Sequence, residues 1–239
     1  MRRGKTIGIV GGMSPESTAI YYQHVVRHHM ARRGDHAYPR VVIASVSFAD
    51  YVRWQHDGQW SLIAAGLGRE IESLAAAGAD FALLATNTMH KVLPHMSPSI
   101  PILHVLDAVC AYARRRGLSR LGLTGTKFTM EDGFYASGLK SRGMAVVLPD
   151  KDDRAEIHRI IYEELIAGRV ERGSCERMSL ICGDLARRGA EAVLLGCTEL
   201  GMLVQGHAPP VATIDTAIVH AEAAWELAMG WPESVDAIT

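Results

Sequence analysis

The sequence has no run approaching the roughly 18 consecutive apolar residues that a membrane-spanning helix needs, so no transmembrane segment is expected. It has no excess of either charge: 25 Lys and Arg stand against 26 Asp and Glu, for a net charge of −1. A dedicated nucleic-acid binder carries a strong basic excess, and none is present. It is sparing in cysteine, with Cys110, Cys175, Cys182 and Cys197 and no Cys-x-x-Cys pair. That spacing excludes a zinc ribbon or thioredoxin motif, and so few cysteines in 239 residues do not make a disulfide framework. A reducing cytoplasm is the expected setting. A dinucleotide-binding Gly-x-Gly-x-x-Gly and a Walker A motif are also missing.

What is there is an ordinary globular composition, 48% hydrophobic and 21% charged. The basic start, Met1-Arg2-Arg3-Gly4-Lys5, leads into an apolar run, Ile7 to Met13, that holds three glycines and ends in Ser14-Pro15-Glu16. It reads as a strand and turn, not a secretory signal. Short β-branched runs follow at Val41–Val46, Phe81–Ala85, Ile102–Val105, Arg120–Thr124, Ala145–Leu148, Ala192–Leu195 and Val211–Ile214. Between them, segments such as Trp60–Ala77 and Asp153–Ala167 place apolar residues at helical spacing. This alternation predicts an α/β protein with parallel sheets. Trp231-Pro232 is expected to end the last helix and begin a tail.

The chain repeats itself. Gly78-Ala79-Asp80-Phe81-Ala82-Leu83-Leu84-Ala85-Thr86 matches Gly189-Ala190-Glu191-Ala192-Val193-Leu194-Leu195-Gly196-Cys197 at an offset of 111 residues. Ile7-Gly8-Ile9-Val10-Gly11 resembles Leu121-Gly122-Leu123-Thr124-Gly125, and Tyr21 matches Tyr135, both at an offset of 114. Two matches at nearly one offset predict two similar α/β domains, residues 1–101 plus 211–239 and residues 102–210. A pseudo-twofold relation between them, with the active site between, is the expectation. Ligands of parallel sheets bind beyond the carboxyl ends of strands, where Thr86 and Cys197 fall. Two proton-transfer groups on opposite faces of one carbon is what inversion of a stereocentre requires.

Each motif has a plainer reading beside the functional one. Gly11-Gly12-Met13-Ser14-Pro15-Glu16 offers backbone N–H groups and a helix N-terminus to a carboxylate or phosphate, or is only a tight strand-to-helix turn. Thr86-Asn87-Thr88-Met89-His90 presents carboxylate-binding side chains, or caps the next helix. Cys197, at a strand mouth near a helix N-terminus, is expected to have a lowered pKa and to act in catalysis, and the other three cysteines to be buried. Glu199 either supports a proton carrier or decorates a helical turn. Thr126 mirrors the first glycine turn, and Lys127 reads as a surface lysine. His24, His28 and His29 read as a polar helix face, since no His-Glu-x-x-His sequence makes them a metal site.

These motifs together resemble the cofactor-independent aspartate/glutamate racemase family. The matching pieces are Ile7-Gly8-Ile9-Val10-Gly11-Gly12-Met13-Ser14, Thr86-Asn87-Thr88-Met89-His90-Lys91 and Gly196-Cys197-Thr198-Glu199-Leu200. Weaker matches are Gln55-His56-Asp57-Gly58-Gln59-Trp60, Ile161-Tyr162-Glu163-Glu164-Leu165 and Ile214-Asp215-Thr216. The resemblance implies two α/β domains, a homodimer, no pyridoxal phosphate and a small amino-acid substrate; no metal is expected from the residues themselves. It implies that Cys197 and Thr86 are catalytic, and that Met13, Ser14, Gln55, Asn87, Thr88, Thr126, Thr198 and Glu199 bind substrate. Family members usually carry cysteine where this chain has Thr86; a subgroup selective for L-aspartate and L-glutamate has the Thr/Cys pair. A thiol titrates near ~8.5 and a hydroxyl is a far weaker acid, so proton transfer by the two groups is expected to be unequal. The family's side-chain-binding lysine aligns with Ile166, and Arg53 lies near the position of its arginine. Two alternatives stand beside racemisation: a decarboxylase or maleate-type isomerase using Cys197 alone, and a non-catalytic amino-acid-binding protein.

Overall fold

Strand β1 (Ile7–Gly11) is buried at all five positions. A parallel strand covered by helices on both faces reads as such a continuous apolar run. In the computed structural model, which describes residues 4–231, β1 is the middle of a three-stranded parallel sheet. Its neighbours are β2 (Val41–Ser45) and β3 (Phe81–Leu84), with Ile9 opposite Ile43 and Leu83. A second parallel sheet has the order β5-β4-β6-β7: Ala145–Val147, Arg120–Thr124, Ala192–Leu195 and Thr213–Asp215. The repeat is therefore structural: β1 and β4 are the central strands that β3 and β6 flank in parallel.

The chain divides into two units. One takes in the chain up to Ala108 and from Ala217 onward; the other is Val109–Thr216. The first holds helices α1 (Pro15–Arg33), α2 (Phe48–His56) and α3 (Trp60–Ala76), and the boundary lies within α4 (Val105–Arg115). The second holds α5 (Lys127–Glu131), α6 (Phe134–Ser141), α7 (Lys151–Glu163), α8 (Arg172–Arg187) and α9 (Leu200–Gly206). Helix α10 (Thr216–Met229) opens at the other boundary. Strand β7 pairs with β6, and residues 213–216 fall in the second unit.

Each unit has its own core. Ile63, Leu67 and Ile71 of α3 pack with Val10 and Leu84 in the first. Ile157, Ile161, Met178 and Ile181 pack with Val193 and Leu195 in the second. Each such side chain stabilises its unit by about 1.5–3 kcal/mol through area removed from water. Cys110, Cys175 and Cys182 are buried, as expected of structural cysteines.

The matched Gly-Ala-acid sequences do the same job twice. Gly78 and Gly189 turn the chain at φ of +87° and +91°. The Asp80 carboxylate then accepts the Thr6 N–H at 2.6 Å, and Glu191 accepts the Ser119 and Arg120 N–H groups at 2.6 and 2.8 Å. Each acid thus ties the entry of its own strand to the start of the central one.

Two expectations are corrected. Residues 102–105 form no strand: Ile102 makes a single bridge with Ala82, and His104 Nδ1 accepts the Leu106 N–H at 3.0 Å, which starts α4. Of the α1 histidines expected on a polar face, His24 and His28 are half-buried and His29 is not on it. His29 is fully buried, its Nε2 2.7 Å from Asp35 and its Nδ1 accepting from Trp225 Nε1 at 3.1 Å. His28 pairs with Glu222 at 3.3 Å. Among the described residues, no helix is long and apolar enough to cross a membrane. The basic residues 1–3 and the tail after Trp231 lie outside the described residues.

Candidate active site

The glycine turn after β1 is built by close approach. Gly12 has φ +88°, and a Cβ there would lie 2.3 Å from the Val46 carbonyl oxygen. Gly11 leaves room for Thr18, whose Oγ1 accepts the Gly12 N–H at 2.8 Å and donates to the Ser14 carbonyl at 3.0 Å. The Gly12 N–H is thereby used within the turn rather than offered to an anion. Ser14 caps α1 through Ser17 N–H at 3.3 Å, with Pro15 in the first turn. Ser14 is half-buried, and Met13 is buried in the core of its unit.

Thr86, Asn87 and Thr88 follow β3 and lead into a 3-10 stretch, Thr88–His95. Thr86 and Thr88 are half-buried and Asn87 is buried. Gln55, half-buried, is on α2 in the same unit. Arg53 on that helix is exposed and bonded to Asp50 at 2.7 Å. The first unit so gathers Ser14, Thr86, Asn87 and Thr88 at the carboxyl ends of β1 and β3.

The second unit repeats the arrangement with different chemistry. Gly125 and Thr126 follow β4, and Thr126 begins α5. Gly196 follows β6 and leaves room for the Thr124 carbonyl oxygen, which a Cβ would approach to 2.6 Å. Cys197, Thr198 and Glu199 come next, all half-buried. The Cys197 thiol donates to Glu199 Oε2 at 2.9 Å, and Thr198 Oγ1 donates to the same oxygen at 2.8 Å. Lys127 is exposed, as expected, and its N–H meets His158 Nδ1 at 3.3 Å.

The expected lowering of the Cys197 pKa is overturned. Burial pushes the thiol well above its ordinary value, and the charge of Glu199 and its hydrogen bond push further; the Glu199 backbone N–H only partly opposes them. The reason is local. Helix α9 begins at Leu200, after the cysteine, and places a carboxylate rather than a bare helix end against the sulfur.

Two residues at this end lie in the weaker family matches but were given no role from sequence. Asp215, at the end of β7, adds negative charge near Cys197, and a Cβ on Gly201 would lie 3.0 Å from its Oδ2. An acid closing the last strand of the second sheet was the available signal. Tyr162 on α7 has its pKa raised by burial and then by the charges of Cys197 and Glu199. Ile166 is 58% exposed in the 3-10 turn Leu165–Ala167, so the residue aligned with the family's lysine offers no cation. Among the described residues, no cluster of His, Cys, Asp and Glu could hold a metal ion.

Each of the two units holds a parallel sheet with polar side chains past its strand ends, and comparisons with known proteins place this chain in the amino-acid racemase class of enzymes. The sequence model described as Asp/Glu/hydantoin racemase matches residues 10–224, and the chain belongs to that family. It is 36% identical to a candidate Asp/Glu racemase of Yersinia pestis, with a TM-score of 0.88, covering 94% of this chain and 99% of that one. An aspartate racemase homologue from Pyrococcus horikoshii OT3 is 33% identical at a TM-score of 0.83, with the same coverage. The broad specificity amino-acid racemase RacX of Bacillus subtilis (strain 168) is 24% identical over 220 residues, 88% of this chain and 92% of that one. The protein is an isomerase, an amino-acid racemase acting on a small-molecule substrate.

Proposed function

We propose that the enzyme inverts Cα of aspartate, glutamate or a related amino acid without a cofactor, using Cys197 on one face and Thr86 on the other. The observation that carries this reading is the Cys197–Glu199 hydrogen bond at the strand end that the repeat matches with Thr86. Glu199 accepts the thiol proton as the thiolate forms, and the thiolate removes or returns the Cα proton. A high thiol pKa makes the thiolate a strong base once formed, which suits a weakly acidic Cα–H. Asn87, Thr88, Thr126 and Thr198 supply donors to the α-carboxylate, where ene-diolate charge develops. Met13, Ser14 and Gln55 complete the substrate pocket in this reading. A homodimer belongs to the same proposal and is checked by light scattering.

The test is proton NMR of L- and D-aspartate and glutamate in D2O without added cofactor, with chiral chromatography of the products. Loss of the Cα–H signal with growth of the opposite enantiomer supports the reading. Cys197→Ala is expected to abolish inversion, and with it exchange of the enantiomer whose Cα–H faces the thiol; persistent inversion would remove Cys197 from the mechanism. Carbon dioxide release or cis–trans isomerisation of a maleate-type substrate would favour a reaction using Cys197 alone. Binding without exchange would favour a non-catalytic protein.

A further inference from the structure

Beside the Thr86 turn lies a cluster of three imidazoles, His90 and His220 buried and His104 half-buried, that the mechanism above leaves without a task. His90 is 1% exposed and His220 is fully buried. The His90 ring centroid is 4.6 Å from that of His104 and 5.6 Å from that of His220. Backbone and hydroxyl partners fix which nitrogen of each ring carries hydrogen. Val105 N–H donates to His90 Nε2 at 3.3 Å, so the His90 hydrogen is on Nδ1. Leu106 N–H donates to His104 Nδ1, so that ring carries its hydrogen on Nε2. His220 Nε2 donates to the Leu103 carbonyl at 2.9 Å, and Tyr21 Oη donates to His220 Nδ1 at 2.9 Å.

The His90 Nδ1–H is the one group of this set that meets no partner at full hydrogen-bond geometry. The Thr86 and Asn87 backbone groups favour the protonated form of this ring, weakly against its burial. The His90 backbone N–H also bonds the Asn87 carbonyl at 3.3 Å. A buried donor short of ideal geometry is costly unless something draws it into place. Catalytic hydrogen bonds are commonly long in a ligand-free site and tighten when substrate binds.

We propose that His90 is a positioning residue for the Thr86 proton-transfer step. Its neutral ring, anchored through Nε2 on Val105, braces the Thr86–Asn87 backbone through Nδ1–H and holds the Thr86 hydroxyl and the Asn87 donors in register with substrate. The proposal rests on Thr86 being the second proton-transfer group. It explains why a weakly acidic hydroxyl suffices there: a group with little intrinsic reactivity depends more on placement. The neighbouring imidazoles keep the ring neutral by burial and mutual repulsion, so it stays a fixed single donor.

Two substitutions separate positioning from bulk packing. His90→Asn keeps an N–H near the Nδ1 position; His90→Gln keeps a polar group near Nε2 and withdraws the donor from the turn. The readout is the ratio of Cα–H exchange to inversion in D2O for each enantiomer. Inversion needs both groups, whereas exchange of the enantiomer whose Cα–H faces Cys197 needs only the thiol. In His90→Gln, inversion is expected to fall roughly 10²-fold, as misplacement by about 1 Å can cause, while exchange on the Cys197 face persists. His90→Asn is expected to stay close to the wild-type ratio. Equal loss of exchange and inversion in both variants, with the ratio unchanged, would show packing alone and overturn the proposal. If wild type exchanges but inverts no amino acid, Thr86 is not the second group, and both readings fall. If wild type inverts normally and His90→Gln does too, only the positioning role falls.

Discussion

The Cys197 thiol donates to Glu199 Oε2 at 2.9 Å, so the carboxylate that accepts its hydrogen bond is also the charge that holds its proton on. A resting thiol with a built-in acceptor releases its proton only when that acceptor can take it.

Glu199→Gln is therefore expected to lower the Cys197 pKa and to slow catalysis together. Removing the carboxylate charge withdraws two of the influences that raise the thiol. The pH profile of iodoacetamide alkylation should move to lower pH, while inversion falls roughly 10²-fold as a positioned proton acceptor is lost. An unmoved alkylation profile would mean the carboxylate does not act on the sulfur.

The inequality between thiol and hydroxyl has a definite signature. Racemisation has an equilibrium constant of one, so kcat/KM for inversion must be equal for the two enantiomers whatever the bases are. The inequality instead appears as exchange without inversion, faster for the enantiomer whose Cα–H faces Cys197. Thr86→Cys is expected to bring the exchange rates of the two enantiomers to within about tenfold of each other, because both faces then hold a thiol. Equal exchange already in wild type would show that Thr86 is not the weaker group.

Acid should destabilise the first unit before the usual carboxylate range is reached. Burial lowers the His220 pKa to about 4 from an ordinary 6.5, and lowers His90 in the same direction. The unfolded chain binds these protons first, so stability is full above pH ~6.5 and falls as pH drops toward ~4, by about 1.4 kcal/mol per pH unit for each imidazole. His220→Gln keeps an N–H for Leu103 and cannot take up charge. Its Tm should fall less steeply over that window than that of wild type; identical slopes would exclude His220 as a source.

Gly12→Ala should cost about 2 kcal/mol or more, since a left-handed φ is joined to a clash with the Val46 backbone. Denaturant unfolding measures it. A midpoint equal to wild type would mean the turn relaxes freely.

Much of the scaffold was legible in sequence because the strands of parallel sheets are short apolar runs punctuated by glycine. Arg120–Thr124 and Ala192–Leu195 form strands over the expected residues. Residues 102–105 misled because an apolar run after a proline satisfies either a strand or a helix entry, and the His104 side chain decided it. Thr86 and Cys197 sit on the strand-end turns where the repeat located them, whereas Gln55 sits on α2. Their electrostatics were not legible. The Cys197 pKa depends on where a carboxylate two residues away points, and the burial of His29 depends on Trp225, nearly two hundred residues distant.

Asp80 and Glu191 fasten the strands at the ends remote from Thr86 and Cys197. Each half is secured by a bond that owes nothing to the residue its turn displays. A thiol at one turn and a hydroxyl at the other thus leave the framework undisturbed. Substitutions at the strand tips thereby leave the fold to be held from the opposite edge of each sheet.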